Sequence, residues 1–451
     1  MSRYNRTEIF ETIPIKKSVL IQIIPAIASQ MIALIYNLSD TYFVGRLNDP
    51  RQTAAITVAA SSFLMLTAIS NLFGIGGASL VTRKLGSGQP EEAKQVASIC
   101  FWMALCSGLC FSILFAILAR PILSISGATE EVYAFAYGYA KWVIILGGIP
   151  TILNTMLSNL VRAEGSAFAA SLGVSMGGIL NILLDPFFVL PNFLGLGAIG
   201  AGMATALSNA CGALFFLIYT QIKKDTVINL HIRYMIYWKE HLWDILKIGI
   251  PSAIQYGLTV VAIAAQTRFV SKYSPQAIAG LGITKKLDQL PLYFSIGVAN
   301  GILPLIGYNH ASGNHVRKEA AFRFGCLISV SFSTLCLIIY EIFAPVLVKL
   351  FIADSLTVTY GSVFVRCMVV AMPFMALCYP MIIRFQAMGK AKESLIISIL
   401  RKGVLDIPFL FLFDALYPLY GCMLVQPVVD FLSLLVAIFL YQRENRKNRL
   451  V

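Results

Sequence analysis

Apolar runs of roughly 20 residues, each long enough to span a bilayer as an α-helix, recur along this 451-residue chain. We count twelve, centred near residues 30, 66, 108, 144, 178, 210, 258, 292, 333, 370, 404 and 431. Only 13% of the residues are charged and 58% are hydrophobic, which is too little charge to cover a soluble protein of this length. The sequence therefore predicts an all-α polytopic membrane protein with twelve transmembrane helices.

The formal net charge of +13 follows the predicted topology. If the N-terminus lies inside, the inner loops and tails hold 22 Lys and Arg. The outer side holds only five, Arg46, Arg51, Arg120, Lys272 and Lys349. Basic residues accumulate in this way on the cytoplasmic side of membrane proteins. We therefore expect a multi-pass protein of the cell membrane with both termini cytoplasmic, surrounded by lipid and without a nucleic-acid partner.

The two halves of the chain repeat each other. The segments IPAI at 24–27 and DTYFV at 40–44 recur 226 residues later as IPSA at 250–253 and QTRFV at 266–270. Two turn sequences also recur, LGSGQ at 85–89 as HASGN at 310–314, and RAEGS at 162–166 as QAMGK at 386–390. Six helices repeating as six in the same order are related by a pseudo-two-fold axis along the membrane normal. This arrangement is typical of transporters that alternate access around a central cleft.

The repeat divides the chain into five segments. We expect a cytoplasmic N-terminal segment at 1–16, a six-helix bundle at 17–222, a cytoplasmic linker at 223–246, a second six-helix bundle at 247–442 and a cytoplasmic tail at 443–451.

Polar residues inside two apolar runs are candidates for function. Asn181 and Asp185 lie four residues apart, so they share one face of a helix. Pro186 donates no backbone hydrogen bond, which frees the carbonyl of Ile182. A carboxylate, an amide oxygen and a free carbonyl within one turn suit a proton or Na⁺. Intramembrane acids are usually functional, and the alternative for Asn181 and Asp185 is a structural hydrogen-bonded pair. Asp40, near the end of the first apolar run, is a further acid, and the alternative for it is a solvated interfacial position.

These residues resemble a known family. The segment NLSDTYFVG at 37–45, the segment NILLDP at 181–186 and the 6+6 repeat are similar to those of the multidrug and toxic compound extrusion (MATE) transporters, over roughly residues 14–445. The chain is most similar to the branch with acidic residues in the N-terminal half, because predicted helix 7, at 251–270, has no acid.

The resemblance implies a secondary antiporter without enzymatic activity or cofactor. Such a protein exports amphipathic, cationic drugs or toxic organic compounds in exchange for H⁺ or Na⁺, and it can work as a monomer. The resemblance adds Asp40 and, from predicted helix 6, Thr205 to the ion-coupling site. Helix 6 also carries a face of small residues that permits close packing, at Gly200, Ala204, Ser208 and Gly212. We expect a proton or ion and a cationic drug to compete for the same buried negative charge.

Eight further residues are candidates for the lining of the substrate cleft, although ordinary packing is the alternative for the aromatic ones. They are Tyr36, Asn37, Phe63, Tyr139, Met176, Tyr256, Gln266 and Tyr293.

Several charged residues leave a second function open. Lys285, Lys286 and Asp288 suggest a mutual ion-pair cluster, and Asp406 has no assigned role. A flippase for lipid-linked precursors, from the same broad superfamily, is the alternative function, because Arg268 and Arg384 together with the two lysines would suit a pyrophosphate group. The chain has no P-loop, HExxH or GxSxG motif, so we do not expect an enzyme.

Overall fold

Helices account for almost all of the regular structure in the computed structural model, which describes residues 4–47, 49–352 and 354–449. Residues 1–3 of the predicted N-terminal segment and 450–451 of the predicted tail lie outside the described residues. The first half contains α1 (Ile15–Gly45), α2 (Pro50–Gly86), α3 (Pro90–Ile125), α4 (Glu130–Ala140), α5 (Gly148–Ala163), α6 (Ala167–Val189) and α7 (Gly197–Ile222). The second half contains α8 (Trp238–Val270), α9 (Pro275–Ala311), α10 (His315–Lys349), α11 (Ser355–Val369), α12 (Met372–Ala387), α13 (Ala391–Ile399), α14 (Asp406–Leu416) and α15 (Gly421–Arg449).

Most of the predicted spans are single long helices. Within the described ranges, nine helices are long and apolar enough to cross a membrane, and two bent pairs raise the number to eleven. The pairs are α4 with α5, bent by 51°, and α11 with α12, bent by 46°. The predicted span near residue 404 is broken into α13, a π-helical turn at Leu400–Val404 and α14. No single stretch there has the length of a continuous span.

The two halves match element by element, which confirms the 6+6 repeat. A bent pair forms the fourth span of each half. The equivalent turn glycines adopt the left-handed backbone conformation that favours glycine, with φ of +71° at Gly88 and +77° at Gly313, and of +89° at Gly165 and +76° at Gly389. We call α1–α7 the N-terminal bundle and α8–α15 the C-terminal bundle.

The linker between the bundles is shorter than the sequence indicates. Instead of ending at 246, it gives way to α8 at Trp238, after a 3₁₀ turn at Ile232–Tyr237. Residues 238–246 are helical because apolar and polar side chains alternate at helical spacing: His241 and Ile245 are buried, whereas Trp238 and Trp243 are exposed.

The N-terminal segment packs against both bundles. The side chains of Ile9 and Phe10 are fully buried. Arg317 Nε, in the C-terminal bundle, donates to the Phe10 carbonyl at 2.6 Å. Arg6 Nε donates to the Glu164 carbonyl, in the N-terminal bundle, at 3.1 Å. The described part of the predicted N-terminal segment therefore joins the two bundles, at the end of the molecule where Glu164 and Arg317 lie.

The bundles also meet through glycines at this end. A Cβ atom on Gly249 of α8 would clash with the backbone carbonyl of Leu72 in α2. A Cβ on Gly301 of α9 would lie 2.7 Å from Ile23 Cα in α1. Further along α8, a Cβ on Gly257 would meet nothing within 4 Å. The bundles are therefore in close contact at this end, whereas Gly257, further along α8, faces open space.

Gly249→Ala is expected to separate α2 from α8, because the methyl group has no room beside the Leu72 carbonyl. Overpacking of this kind typically costs about 1–3 kcal/mol. Hydrogen exchange by mass spectrometry should therefore speed up in the contacting parts of α2 and α8. Gly257→Ala, in the same helix, is the matched control and should leave exchange unchanged. Equal exchange in both variants and the wild type would contradict the close contact.

Candidate functional site

Four polar side chains from three helices meet inside the N-terminal bundle. We call Asp40 of α1, Asn181 and Asp185 of α6, and Thr205 of α7 the carboxylate site, and each is at most 6% exposed. Thr205 Oγ1 donates to Asp40 Oδ2 at 3.3 Å. With the Asn181 amide turned so that both of its ends are satisfied, Nδ2 donates to Asp40 Oδ1 at 3.0 Å and the amide oxygen accepts from the Thr205 N–H at 3.3 Å. Residues that lie 165 positions apart thus contact each other directly.

Small residues allow the three helices to approach this closely. A Cβ on Gly178 of α6 would lie 2.6 Å from Ile32 Cγ2 in α1, and a Cβ on Gly177 would lie 3.0 Å from the Ser208 carbonyl oxygen in α7. Adjacent glycines on α6 therefore face two different neighbours. The helix numbered 6 in the sequence analysis is α7 in the structure. Its predicted close packing is confirmed, and it brings Thr205 to Asp40.

Asp185 is the unsatisfied member of the carboxylate site. Its side chain is fully buried, and neither oxygen has a hydrogen-bond partner of ordinary geometry among the described residues. The Asp40 carboxyl interacts with it. A buried carboxylate without a partner is costly. Chemically, the arrangement suits one proton shared by the pair or a hard cation such as Na⁺ held by oxygen ligands.

Tyr139 belongs to the carboxylate site rather than to a cleft. It is buried, and its hydroxyl interacts with Thr205 and with both carboxyl groups. The backbone of Tyr139 also packs on α7, because a Cβ on Gly202 would lie 2.9 Å from its carbonyl oxygen. The sequence identifies the residue but not these neighbours, since a tyrosine in an apolar run does not reveal which helix it faces.

A group of partly exposed tyrosines lies between the bundles. Tyr293 of α9 interacts with Tyr36 of α1, Tyr256 of α8 and Tyr379 of α12, and we call these four residues the tyrosine cluster. Asn37 Nδ2 donates to the Tyr293 hydroxyl at 3.4 Å across the two bundles. Four of the predicted cleft residues are therefore brought together.

Two members of this region are absent from the predicted cleft. Tyr379 completes the tyrosine cluster, and Asn71 of α2 lies beside Tyr256. The only signal in the sequence is a polar residue within an apolar run, and it does not tell which side of the helix faces the partner bundle.

The structure places the other three predicted cleft residues elsewhere. Met176 is 39% exposed and stands in a row of exposed apolar residues on α6, spaced like one helix face, so it faces away from the other bundle. Gln266 is buried and its Nε2 donates to the Cys422 carbonyl at 2.9 Å. Phe63 packs against the core of the N-terminal bundle. The place of Met176 in the cleft stays a prediction, because α6 has too few polar residues for the sequence to mark its faces.

The cations that would suit a pyrophosphate do not gather. Arg384 is fully buried in a different ionic network, with Nη1 2.6 Å from Glu319 Oε2 and Nη2 2.7 Å from Glu444 Oε2. Arg268 is exposed in the last turn of α8. Lys285 and Lys286 form no ion pair with Asp288 within 4.0 Å in the described part of the chain, although Lys285 and Asp288 lie near enough to interact. Which acidic residue each of these cations contacts depends on how the helices pack, and residue spacing in the sequence does not predict it.

Known proteins match this chain along nearly its whole length. The MatE family model matches residues 25–187 and 251–412, once in each bundle. The multidrug export protein MepA of Staphylococcus aureus (strain MRSA252) is 29% identical over 431 residues, which cover 96% of this chain and 94% of that protein. The MepA protein of Staphylococcus saprophyticus is 27% identical over 434 residues, which cover 96% and 95%.

Solved structures share the fold. One, described as the outward-facing conformation of a multidrug resistance MATE family transporter of the MOP superfamily, has a TM-score of 0.91 at 24% identity and covers 99% of this chain and 98% of that one. The family match in both bundles spans more than half of the chain. This protein therefore belongs to the MATE family, whose members are transporters rather than enzymes.

Proposed function

We propose that this protein is a multidrug exporter that expels amphipathic, cationic organic compounds in exchange for H⁺ or Na⁺. The observation that carries the proposal is the fully buried Asp185 carboxyl, which lies beside Asp40 and forms no hydrogen bond of ordinary geometry among the described residues. The names of the MepA relatives support multidrug export. The tyrosine cluster supports a cationic substrate, because aromatic rings attract cations through their faces.

The proposed cycle exchanges positive charges at the carboxylate site. A proton or Na⁺ that enters from outside neutralises the Asp40–Asp185 pair. Without the negative charge the pair no longer holds a cationic drug, which leaves to the outside. When the ion is released inside, the charge returns and a new drug molecule binds. The gradient supplies about 1.4 kcal/mol per pH unit and about 2.3 kcal/mol per charge per 100 mV.

Bundle movement is the second part of the proposal. The bundles touch at the end that carries the N-terminal segment, whereas Gly257, further along α8, faces open space. With both termini in the cytoplasm, as the Lys and Arg distribution indicates, the contact lies on the inner side and the cleft opens outward. Alternating access then requires the inner contacts to part. We infer that the carboxylate site biases this step through α1, which also contacts the C-terminal bundle at Gly301.

Dye transport by purified protein in liposomes tests the proposal. The liposomes are loaded with ethidium, and a pH gradient and a Na⁺ gradient are imposed in separate experiments. We expect one gradient to drive dye movement, which identifies the coupling ion. Absence of dye movement under both gradients would contradict the proposed function, and labelled lipid-linked substrates would then test the flippase alternative.

Thr205→Val is expected to slow export at least about tenfold. The hydroxyl donates to Asp40 at 3.3 Å, and a hydrogen bond to a charged group contributes about 1.5–3 kcal/mol. Valine keeps the shape but removes the donor. Thr205→Ser keeps the donor and should retain most of the activity in the same liposome assay. Equal losses in both variants would indicate a packing role for Thr205 instead.

A further inference from the structure

The fifth span of the C-terminal bundle is interrupted in its middle, whereas its counterpart α6 is continuous. Between α13 and α14, the chain forms a π-helical turn at Leu400–Val404, and Lys402 leaves the helical conformation with φ −134° and ψ 29°. Such π turns are frequent at functional sites, and broken helices in transporters commonly line binding sites. The interruption carries charged residues at 401, 402 and 406, in the middle of the span.

The break opens onto a small polar cavity, which we call the C-terminal cavity. Its volume of about 20 Å³ is enough for one water molecule. Polar side chains from five elements of the fold line it: Gln266, Lys285, Lys402, Asp406 and Gln426. A cavity with this many polar groups favours water over an empty space.

Asp406 is the carboxyl group open to this cavity. It is 4% exposed, and its Oδ2 has no hydrogen-bond partner among the described residues. The other carboxyl of the network is occupied: Asp430 pairs with Arg401 Nε at 2.9 Å and accepts from Gln426 Nε2 at 2.7 Å. Lys402 Nζ donates to Gln426 Oε1 at 2.8 Å.

Four charged groups surround Asp406: Lys285 of α9, Arg401 and Lys402 of the π-helical turn, and Asp430 of α15. Asp288 of α9 interacts with Lys285. The α8 helix contributes no charge to the cavity, only Ala262, Ile263 and the neutral Gln266. The cavity has room for about one water molecule and not for a Na⁺ ion with a set of coordinating waters, so the exchangeable species that fits is a proton.

We propose that Asp406 is a second proton-exchanging group, which takes one proton from a water molecule in the C-terminal cavity and returns it once per transport cycle. In the uptake step, hydronium transfers its proton to Oδ2, which leaves a neutral carboxylic acid and water. In the release step the proton returns to water, and the Lys402 and Lys285 ammonium groups stabilise the carboxylate that remains. The proposal rests on the proposed function, since it adds a charge to the same exchange.

The number of charges moved per dye molecule tests this proposal. If the carboxylate site exchanges one positive charge for one ethidium cation, transport is electroneutral. A second proton at Asp406 moves one net charge, so 100 mV changes the equilibrium dye ratio across a liposome membrane about 50-fold. We expect that response in the wild type at constant pH gradient, and no response in Asp406→Asn. Asp406→Glu, which keeps the carboxyl group, should retain it.

Asp414→Asn is the matched control on the same helix. Asp414 Oδ1 accepts from the Tyr273 hydroxyl at 2.5 Å, away from the cavity, so this variant should respond to voltage like the wild type. A voltage response that is equal in wild type and Asp406→Asn, or an electroneutral wild type, would overturn the proposal and leave the proposed function intact.

Infrared spectroscopy keeps the two proposals separable. On acidification of the substrate-free protein, we expect a carbonyl band of protonated carboxylic acid that is reduced in Asp406→Asn and unchanged in Asp414→Asn. If the wild type moves no dye, the proposed function fails and this band alone decides whether Asp406 exchanges a proton. Identical bands in wild type and Asp406→Asn would overturn the assignment.

Discussion

Asp185→Asn is expected to reach the membrane, to fold and to lose gradient-driven export. The amide has the shape of the carboxyl group but holds neither a proton nor a negative charge, so nothing at this position exchanges an ion for a drug. At one ion per drug molecule, a gradient of two pH units supports a dye ratio of about 100-fold at equilibrium. In the variant this ratio should fall to about one. Asp40→Asn should behave in the same way, because the two carboxyl groups act as a pair.

Asp244→Asn is the control for these variants. Asp244 is exposed near the start of α8, where its Oδ1 lies 3.4 Å from Lys247 Nζ, and an exposed pair of this kind contributes little. This variant should export like the wild type. Wild-type dye ratios in both Asp40→Asn and Asp185→Asn would remove the carboxylate site from the mechanism.

Arg401→Met is expected to destabilise the protein by about 3–5 kcal/mol, the usual effect of removing one partner of a buried ion pair. Arg401 and Asp430 are each 1% exposed and lie 2.9 Å apart, so the substitution leaves a buried carboxylate without its cation. The Arg401 guanidinium also lies over the Tyr379 ring at 4.4 Å. Thermal unfolding of the purified protein in detergent should begin at a clearly lower temperature.

The double variant Arg401→Met/Asp430→Leu separates charge from packing. Apolar replacements of a whole buried pair are often neutral, so the double variant should recover most of the lost stability. If it unfolds at the same temperature as Arg401→Met, loss of packing rather than the unpaired carboxylate explains the effect.

The sequence predicts the helices and the repeat because apolar runs and turn glycines are local features. Each predicted run corresponds to a helix, a bent pair or, near 404, a broken helix. The turn at Gly88 recurs at Gly313 with the same backbone conformation. The start of α8 at Trp238 is missed, because charged residues at 239–240 read as a loop although the buried positions repeat at helical spacing.

The carboxylate site is predictable only in part. Spacing places Asn181 and Asp185 on one helix face, but Asp40 and Thr205 come from the family resemblance. The ion-pair partners of long side chains depend on how the helices pack. Arg384 donates to Glu444, 60 residues away, and no local sequence pattern predicts this pair. Met176 also shows that sequence does not reveal helix orientation, because an almost uniformly apolar helix does not indicate which of its faces is turned to lipid.

The central claim is that ion and drug compete at the carboxylate site. It is tested most directly by measuring ethidium binding at different pH values and Na⁺ concentrations. Fluorescence anisotropy of the purified wild type should show weaker ethidium binding as one of the two ions rises, by up to about tenfold per pH unit if the ion is H⁺. In Asp40→Asn and Asp185→Asn, binding should no longer depend on that ion. The same ion dependence in the wild type and in both variants would contradict the claim.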